Sequence, residues 1–267
     1  MRPRTWIDAR RMDQLGRMDT PVHRRDARVQ VLTTVIFIAV VMSFDRYQVS
    51  ALAPFFLYPL ALTALAGIPA GYILRRVLVA APFAILVGVF NPLVDHQPVA
   101  AIAGHAVAGG WVSFASILAR FALTVSSALI LVACTGIDRL VAATGRLGLP
   151  QAFAVQLLFL YRYLFVIGDQ GARMMRSVEL RSGGRRSLRP RVYASLVGHL
   201  LLRSLDRAER VYRAMAARGF EGRVRILGDL RLRPADFAYL LGWSAFFVAA
   251  RIWNLPVLLG RALLGAM

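Results

Sequence analysis

Lysine is absent: all 33 basic side chains among the 267 residues are arginine. That excludes whole classes of chemistry. A P-loop needs the lysine of Gly-x-x-x-x-Gly-Lys-Ser/Thr to reach the terminal phosphates of a nucleotide. A Schiff-base enzyme needs a lysine amine. If ATP drives this protein, another chain binds and hydrolyses it. Cysteine is nearly missing too. Cys134 stands alone in an apolar run, so an internal disulfide is excluded and the residue reads as a small buried hydrophobe. Negative charge is scarce, with 14 acids against 33 arginines and a net charge of +19. No paired carboxylates, nucleophile–base pair or metal box stands out, which argues against an enzyme. Asp95, His96 and His105 share one stretch, but their spacing is loose and they read as an ordinary polar loop. His23 and His199 form no cluster with them. No secretory leader is expected either. The first 28 residues hold eight arginines and four acids, with no apolar core ahead of a small-residue cleavage site.

What the chain has is apolar length. Hydrophobic residues make up 58% and charged residues only 18%, against about 25% charged in soluble domains. Uncharged stretches cover 29–44, 47–74, 77–94, 97–119, 121–137 and 237–250. A helix needs about 20 apolar residues to cross a hydrocarbon core about 30 Å thick. The pattern predicts an all-α, polytopic helical membrane protein with spans near 29–45, 48–70, 77–93, 111–135 and 236–251. Spans number five, or six if the apolar segment 254–267 also crosses; a tilted extension or a surface helix is the alternative there. Pro54, Pro59 and Pro69 are expected kink points in the second span. Trp111, Trp243 and Trp253 suit the membrane–water interface. Residues 6–18 read either as a short surface helix or as a basic tail.

Arg120 falls inside the fourth span. A charge there costs at least about 2.5 kcal/mol on insertion scales and is a functional candidate; the alternative is that it turns inward and satisfies backbone carbonyls. Thr124, Ser126 and Ser127 read as helix–helix contacts. Arg24, Arg25, Arg28, Arg75, Arg76, Arg139 and Arg146 fall on one side of the membrane, whereas Arg46, with Arg251 a possible companion, falls on the other. The positive-inside rule puts the first group, and the N-terminus, in the cytoplasm. This divides the chain into a basic cytoplasmic segment (1–28), four spans (29–135), a cytoplasmic helical domain (136–235) and a C-terminal membrane segment (236–267).

The 136–235 segment carries 19 arginines against seven acids. Leu147-Gly148-Leu149-Pro150 reads as a turn with proline opening a helix. Phe153, Leu157, Leu160, Leu164, Ile167 and Met174 then recur at helical spacing to about 180. After Ser182-Gly183-Gly184 and the arginines 185, 186, 189 and 191, a second helix is expected over about 190–218. Its apolar positions are Val192, Leu196, Leu200, Ala208, Val211 and Met215, with Arg203, Arg207 and Arg210 on another face. Asp206–Arg210 and Glu209–Arg213 are i,i+4 pairs of favourable polarity, each worth about 0.3 kcal/mol. Both helices end on an arginine beside a glycine: Leu180-Arg181-Ser182-Gly183 and Ala217-Arg218-Gly219. Arginine suits the carbonyl end of a helix, and glycine supplies the left-handed cap.

The stretch RSLDRAERVYRAMAARGFEG (203–222) closely resembles the hallmark of the transmembrane coupling subunit of energy-coupling factor (ECF) transporters, most of all its cobalt-transport branch, CbiQ. Asp26-Ala27-Arg28-Val29 is similar to the family's motif before its first span. Leu147-Gly148-Leu149-Pro150, Tyr161-Arg162-Tyr163 and a terminal hydrophobic span also fit. The resemblance implies a non-catalytic subunit of an ATP-driven importer in the cell (inner) membrane, linked to cobalamin biosynthesis. It implies cobalt as cargo, with nickel, biotin or another vitamin as neighbouring possibilities. It also implies that no cofactor is bound by this chain, ATP and magnesium being held by partner ATPase subunits resembling CbiO. A substrate-binding membrane subunit resembling CbiM and a small accessory subunit resembling CbiN would complete the assembly within the lipid bilayer. By position, Leu180-Arg181-Ser182 and Ala217-Arg218-Gly219 are the ATPase-coupling motifs, supported by Arg203, Arg207, Glu209 and Arg210. The first motif departs from the family's Ala-Arg-Gly form, and Gln30 stands where the family usually has lysine.

Three other readings fare worse. A stand-alone secondary transporter or channel predicts internal repeats and acidic or polar midplane residues, which are not evident. Nucleic-acid binding by 136–235 is allowed by charge, but no reading motif is present. A membrane enzyme lacks its chemistry.

Overall fold

The computed structural model describes residues 18, 20–94, 98–102, 105–183, 190–220, 222 and 232–253, with the side chains of 93–108 left aside. Asp95 and His96, the arginines 185, 186 and 189, the 254–267 tail and all but the last residue of the 6–18 helix lie outside the described residues. The chain is all-α, with one short β-hairpin. Its described residues form two compact units, one within 137–222 and the other within 18–136 and 232–253.

The membrane unit begins with α1 (Ala27–Met42), capped by Asp26, whose carboxylate accepts from the Arg28 amide at 2.9 Å. Residues Ser50–Phe56 form a 3-10 segment that runs into α2 (Leu57–Ala66). The second span is therefore not one kinked α-helix. Pro54 sits in the 3-10 turn, where the missing amide and fixed φ disturb less than they would inside an α-helix. Gly67, with φ 66°, caps α2, and Pro69 immediately precedes α3 (Ala70–Gly88). This places the start of α3 seven residues earlier than the expected 77. Arg75 and Arg76 consequently lie within its first turns, with Arg76 stacked 4.7 Å from the centre of the Tyr72 ring. A short α4 (Asn91–Val94) leads into β1 (Pro98–Ile102) and β2 (His105–Ala108), paired antiparallel with Ile102 opposite His105. The sequence reading expected a plain loop there. α5 (Gly109–Thr135) and α9 (Pro234–Ile252) complete the unit.

α1 packs against α5 and α9, while α3 packs along α5. At Gly88 the approach is so close that an added Cβ would meet the Phe114 ring at 2.8 Å. The core is aromatic. Phe37 lies 4.6 Å from Tyr58 and 5.2 Å from Phe247, and Tyr58 lies 4.9 Å from Trp243, all between ring centres. By length and composition α3, α5, α7 (Gln151–Arg181) and α9 are able to cross a membrane, and α1 and the Ser50–Ala66 segment are shorter apolar helices. The 16 residues of α1 rise only about 24 Å. The protein is a multi-pass membrane protein.

The second unit holds α6 (Ile137–Arg146), α7 and α8 (Pro190–Ala216). Leu149 donates its amide to the Thr144 carbonyl at 3.1 Å, closing the turn after α6, and Pro150 directly precedes α7. α6 packs on α7, Ala154 being buried beside Gly145, and α7 packs on α8. The expected long helix pair is thus present to within two residues at each end.

Candidate coupling site

α7 and α8 pack closely near Gly171, where an added Cβ would lie 3.4 Å from the Leu200 side chain. Arg207 reaches back from α8 to the Gln170 carboxamide at 3.3 Å. Arg207 therefore serves the packing of the two helices, while its expected face-mates Arg203 and Arg210 are exposed. Of the two i,i+4 pairs, Glu209–Arg213 is formed, with both side chains largely in solvent.

The two helix ends differ in detail. Arg181 is the last residue of α7. The Ser182 amide donates to Val178 at 2.9 Å, its hydroxyl to the Glu179 carbonyl at 3.0 Å, and Gly183 follows at φ 65°. The left-handed cap is thus supplied by Gly183, one position beyond Ser182. On α8 the last helical residue is Ala216, so Arg218 belongs to the capping turn rather than to the helix itself. Here the amides of Gly219 and Phe220 return to the carbonyls of Ala216 (3.0 Å) and Met215 (3.1 Å), with Gly219 at φ 76°. A side chain with a Cβ adopts that backbone only with strain. Leu180, Arg181, Ala217, Arg218 and Gly219 are exposed and Ser182 is half-buried. Among the described residues neither Arg181 nor Arg218 has an ion pair or a side-chain hydrogen bond. Counted along the helices, the arginines lie about 15 Å and 27 Å from the α7–α8 contact, on separate rods. Each motif stands exposed at the end of its own helix.

Arg120 has a partner within the membrane unit. It donates to the backbone carbonyl of Asp45 at 2.6 Å. From α9, Arg251 donates to the hydroxyl and carbonyl of Ser43, at 3.2 and 3.1 Å, and stacks 4.3 Å from the centre of the Phe44 ring. Two arginines from two helices thus hold the turn after α1, where carbonyls have run out of helical partners. Other polar ties escaped sequence reasoning. Buried Gln30 donates to the Val22 carbonyl and accepts from Thr135, each at 2.5 Å. Asp236, 1% exposed, caps α9 through the Arg233 amide at 2.9 Å and lies 3.6 Å from Arg25. An acid at the third position of a helix was the visible signal for the cap; nothing in the pattern named Arg25 as its partner.

Among the described residues no group of three or more His, Cys, Asp or Glu side chains could hold a metal. His23 accepts from or donates to the Thr20 hydroxyl at 2.6 Å, and His199 is exposed on α8.

The family described as cobalt transport protein, CbiQ, matches residues 18–226 of this chain. A cobalt transport protein CbiQ of Rhodobacter capsulatus is 36% identical over 88 residues, covering 32% of this chain. That match spans only about a third (34%) of the Rhodobacter protein's length. An uncharacterized protein of Methanocaldococcus jannaschii, MJ1571, is 25% identical over 226 residues, or 81% of this chain and 77% of its own.

Proposed function

Because the chain belongs to the cobalt transport protein family CbiQ, we propose that it is the coupling subunit of an ATP-driven importer of the energy-coupling factor type, with cobalt ions as cargo. The observation that carries this reading is the pair of capped, exposed helix ends, each tipped by an arginine that has no ion pair among the described residues. A guanidinium offers a rigid fork of donors for a carboxylate. The small neighbours Ala217 and Gly219 let the end of α8 enter a groove on an ATPase subunit. Two such ends, on two helices, favour two docking grooves, one for each of two ATPase subunits. ATP and magnesium are then bound by those partners. When they close on nucleotide, the ends are displaced relative to each other and the long helices carry the shift, a shear transmission. Capture of the cargo falls to a separate substrate-binding membrane subunit, with or without a small accessory one. On the same reading the N-terminus and the α6–α8 unit are cytoplasmic, which the arginine distribution supports.

The test is co-purification with the partner ATPase, together with ATP-driven cobalt uptake in vesicles. Arg181→Ala and Arg218→Ala are each expected to weaken ATPase retention at least about thirtyfold, the lower end of what losing a charged contact costs. The double variant should insert normally yet take up no cobalt. Undiminished uptake by the double variant would overturn the assignment. Nickel offered in competition reads the cargo.

A further inference from the structure

Phe153, Leu157, Leu160 and Leu164 form a single stripe along the first half of α7, and all four are exposed. Among the described residues no neighbouring helix buries this stripe. α6 covers Ala154 on a different face, and α8 reaches the stripe's own line only further along, at Gly171. Yet by length and composition α7, like α3, α5 and α9, is able to cross a membrane, and its most apolar stretch is more hydrophobic than that of α9. The bareness of the stripe matches the outward side of α3: Phe153 and Leu160 are 62% and 63% exposed, Leu78 and Leu86 60% and 62%.

We propose that the first half of α7 lies in the boundary between lipid headgroups and acyl chains, with this stripe against the acyl chains. Five features select lipid as the occupant. The stripe from Phe153 to Leu164 rises only about 17 Å, too short to cross a core about 30 Å thick but right for a helix lying in its surface. Between 151 and 168 the only charge is Arg162, which at 100° per residue projects opposite the stripe; Asp169, Arg173 and Arg176 continue on that polar side. Tyr161 and Tyr163 flank the stripe on its two sides, the position of interfacial tyrosines. The cationic face suits anionic headgroups. The stripe itself carries no donor or acceptor, whereas a fixed protein partner typically makes about one hydrogen bond per 100–200 Å² of contact. The second half of α7 then stays in water with its Arg181 end free. This inference rests on the membrane residence of the chain and not on ATPase docking, so either can fail alone.

Site-directed spin labelling of the full chain in vesicles of phosphatidylethanolamine and phosphatidylglycerol tests it. Phe153→Cys, Leu157→Cys, Leu160→Cys and Leu164→Cys are labelled one at a time, with Arg162→Cys, Arg173→Cys and Arg176→Cys as the opposite face. The unsubstituted chain, whose Cys134 is 2% exposed, is the labelling blank, and the thermal transition of each variant reports its folding. Collisions with oxygen, which partitions into lipid, should exceed those with a water-soluble nickel chelate severalfold at the four stripe positions. The ratio should reverse at the three arginine positions. Nickel-dominated collisions at the stripe would overturn the proposal. So would oxygen-dominated collisions all round the helix, which would make α7 a crossing span. Exclusion of nickel only after a substrate-binding membrane subunit is added would equally overturn it, the occupant then being protein.

Discussion

Phe37, Phe55, Tyr58 and Phe247 are sealed inside the membrane unit, whereas not one residue of α8 is buried in the other unit. Along α7 only Ala154 is. The first region carries its own core, laced by polar ties that cross long stretches of sequence. The second is held by a few contacts, chiefly α6 on α7 and the Gly171–Leu200 approach, and leaves most of its side chains to face something else. Stability and function are thus divided. A body that must stay intact buries its surface. On the function proposed, two rods that engage partners and shift keep theirs open, in the way that moving elements are drawn from the weakly packed end of a structure.

The sharpest way to break this contrast is to hollow the core. Phe247 touches Phe37, Phe55, Tyr58 and Trp243 within 6.2 Å between ring centres. Phe247→Ala is expected to cost about 3–5 kcal/mol, read as a lowered midpoint of detergent-induced unfolding. Leu201→Ala on the open face of α8 should shift that midpoint by less than about 0.5 kcal/mol. Equal losses at the two positions would mean that α8 is packed in the isolated chain.

A smaller effect is expected at the turn after α1. Arg120 and Arg251 each donate to a carbonyl of that turn, and a hydrogen bond to a charged group is worth about 1.5–3 kcal/mol. Arg120→Ala and Arg251→Ala should each lose an amount in that range and leave ATPase retention unchanged. If either variant retains its stability but loses transport, Arg120 or Arg251 works in the cycle rather than in the scaffold.

The contrast also explains what was legible in the sequence. Helical periodicity located α7 and α8 almost to the residue, because a rod with one packed stripe repeats its pattern locally. It found the cap glycines for the same reason. It did not find the break of the second span at Phe56–Leu57, since proline signals a disturbance without saying whether the chain kinks or tightens into a 3-10 turn. It placed α3 too late because Arg75 and Arg76 looked like a border, whereas Gly67 and Pro69 set the true start. The ties Arg251–Ser43 and Gln30–Thr135 join residues 208 and 105 positions apart. Such pairs arise from packing, and no local pattern encodes them. Arg120 was visible as an anomaly, and of the two readings offered for it the observed contact is the one to a backbone carbonyl.

The smallest predicted effect lies in the residues that most attracted notice. Glu209 and Arg213 form the i,i+4 pair within the hallmark stretch, yet their side chains are 61% and 75% exposed. In water, such a pair trades Coulomb attraction against the entropy of fixing two long chains, and exposed pairs of this kind contribute about 0.3–0.5 kcal/mol. Glu209→Gln keeps the shape and removes the charge. It is expected to leave the unfolding midpoint within about 0.5 kcal/mol of the parent, with the difference shrinking further as salt is raised. Helices of the membrane unit should not respond at all. A loss above about 1 kcal/mol, unscreened by salt, would show that Glu209 is shielded from water in the folded chain, and that the exposed face of α8 is already covered before any partner arrives.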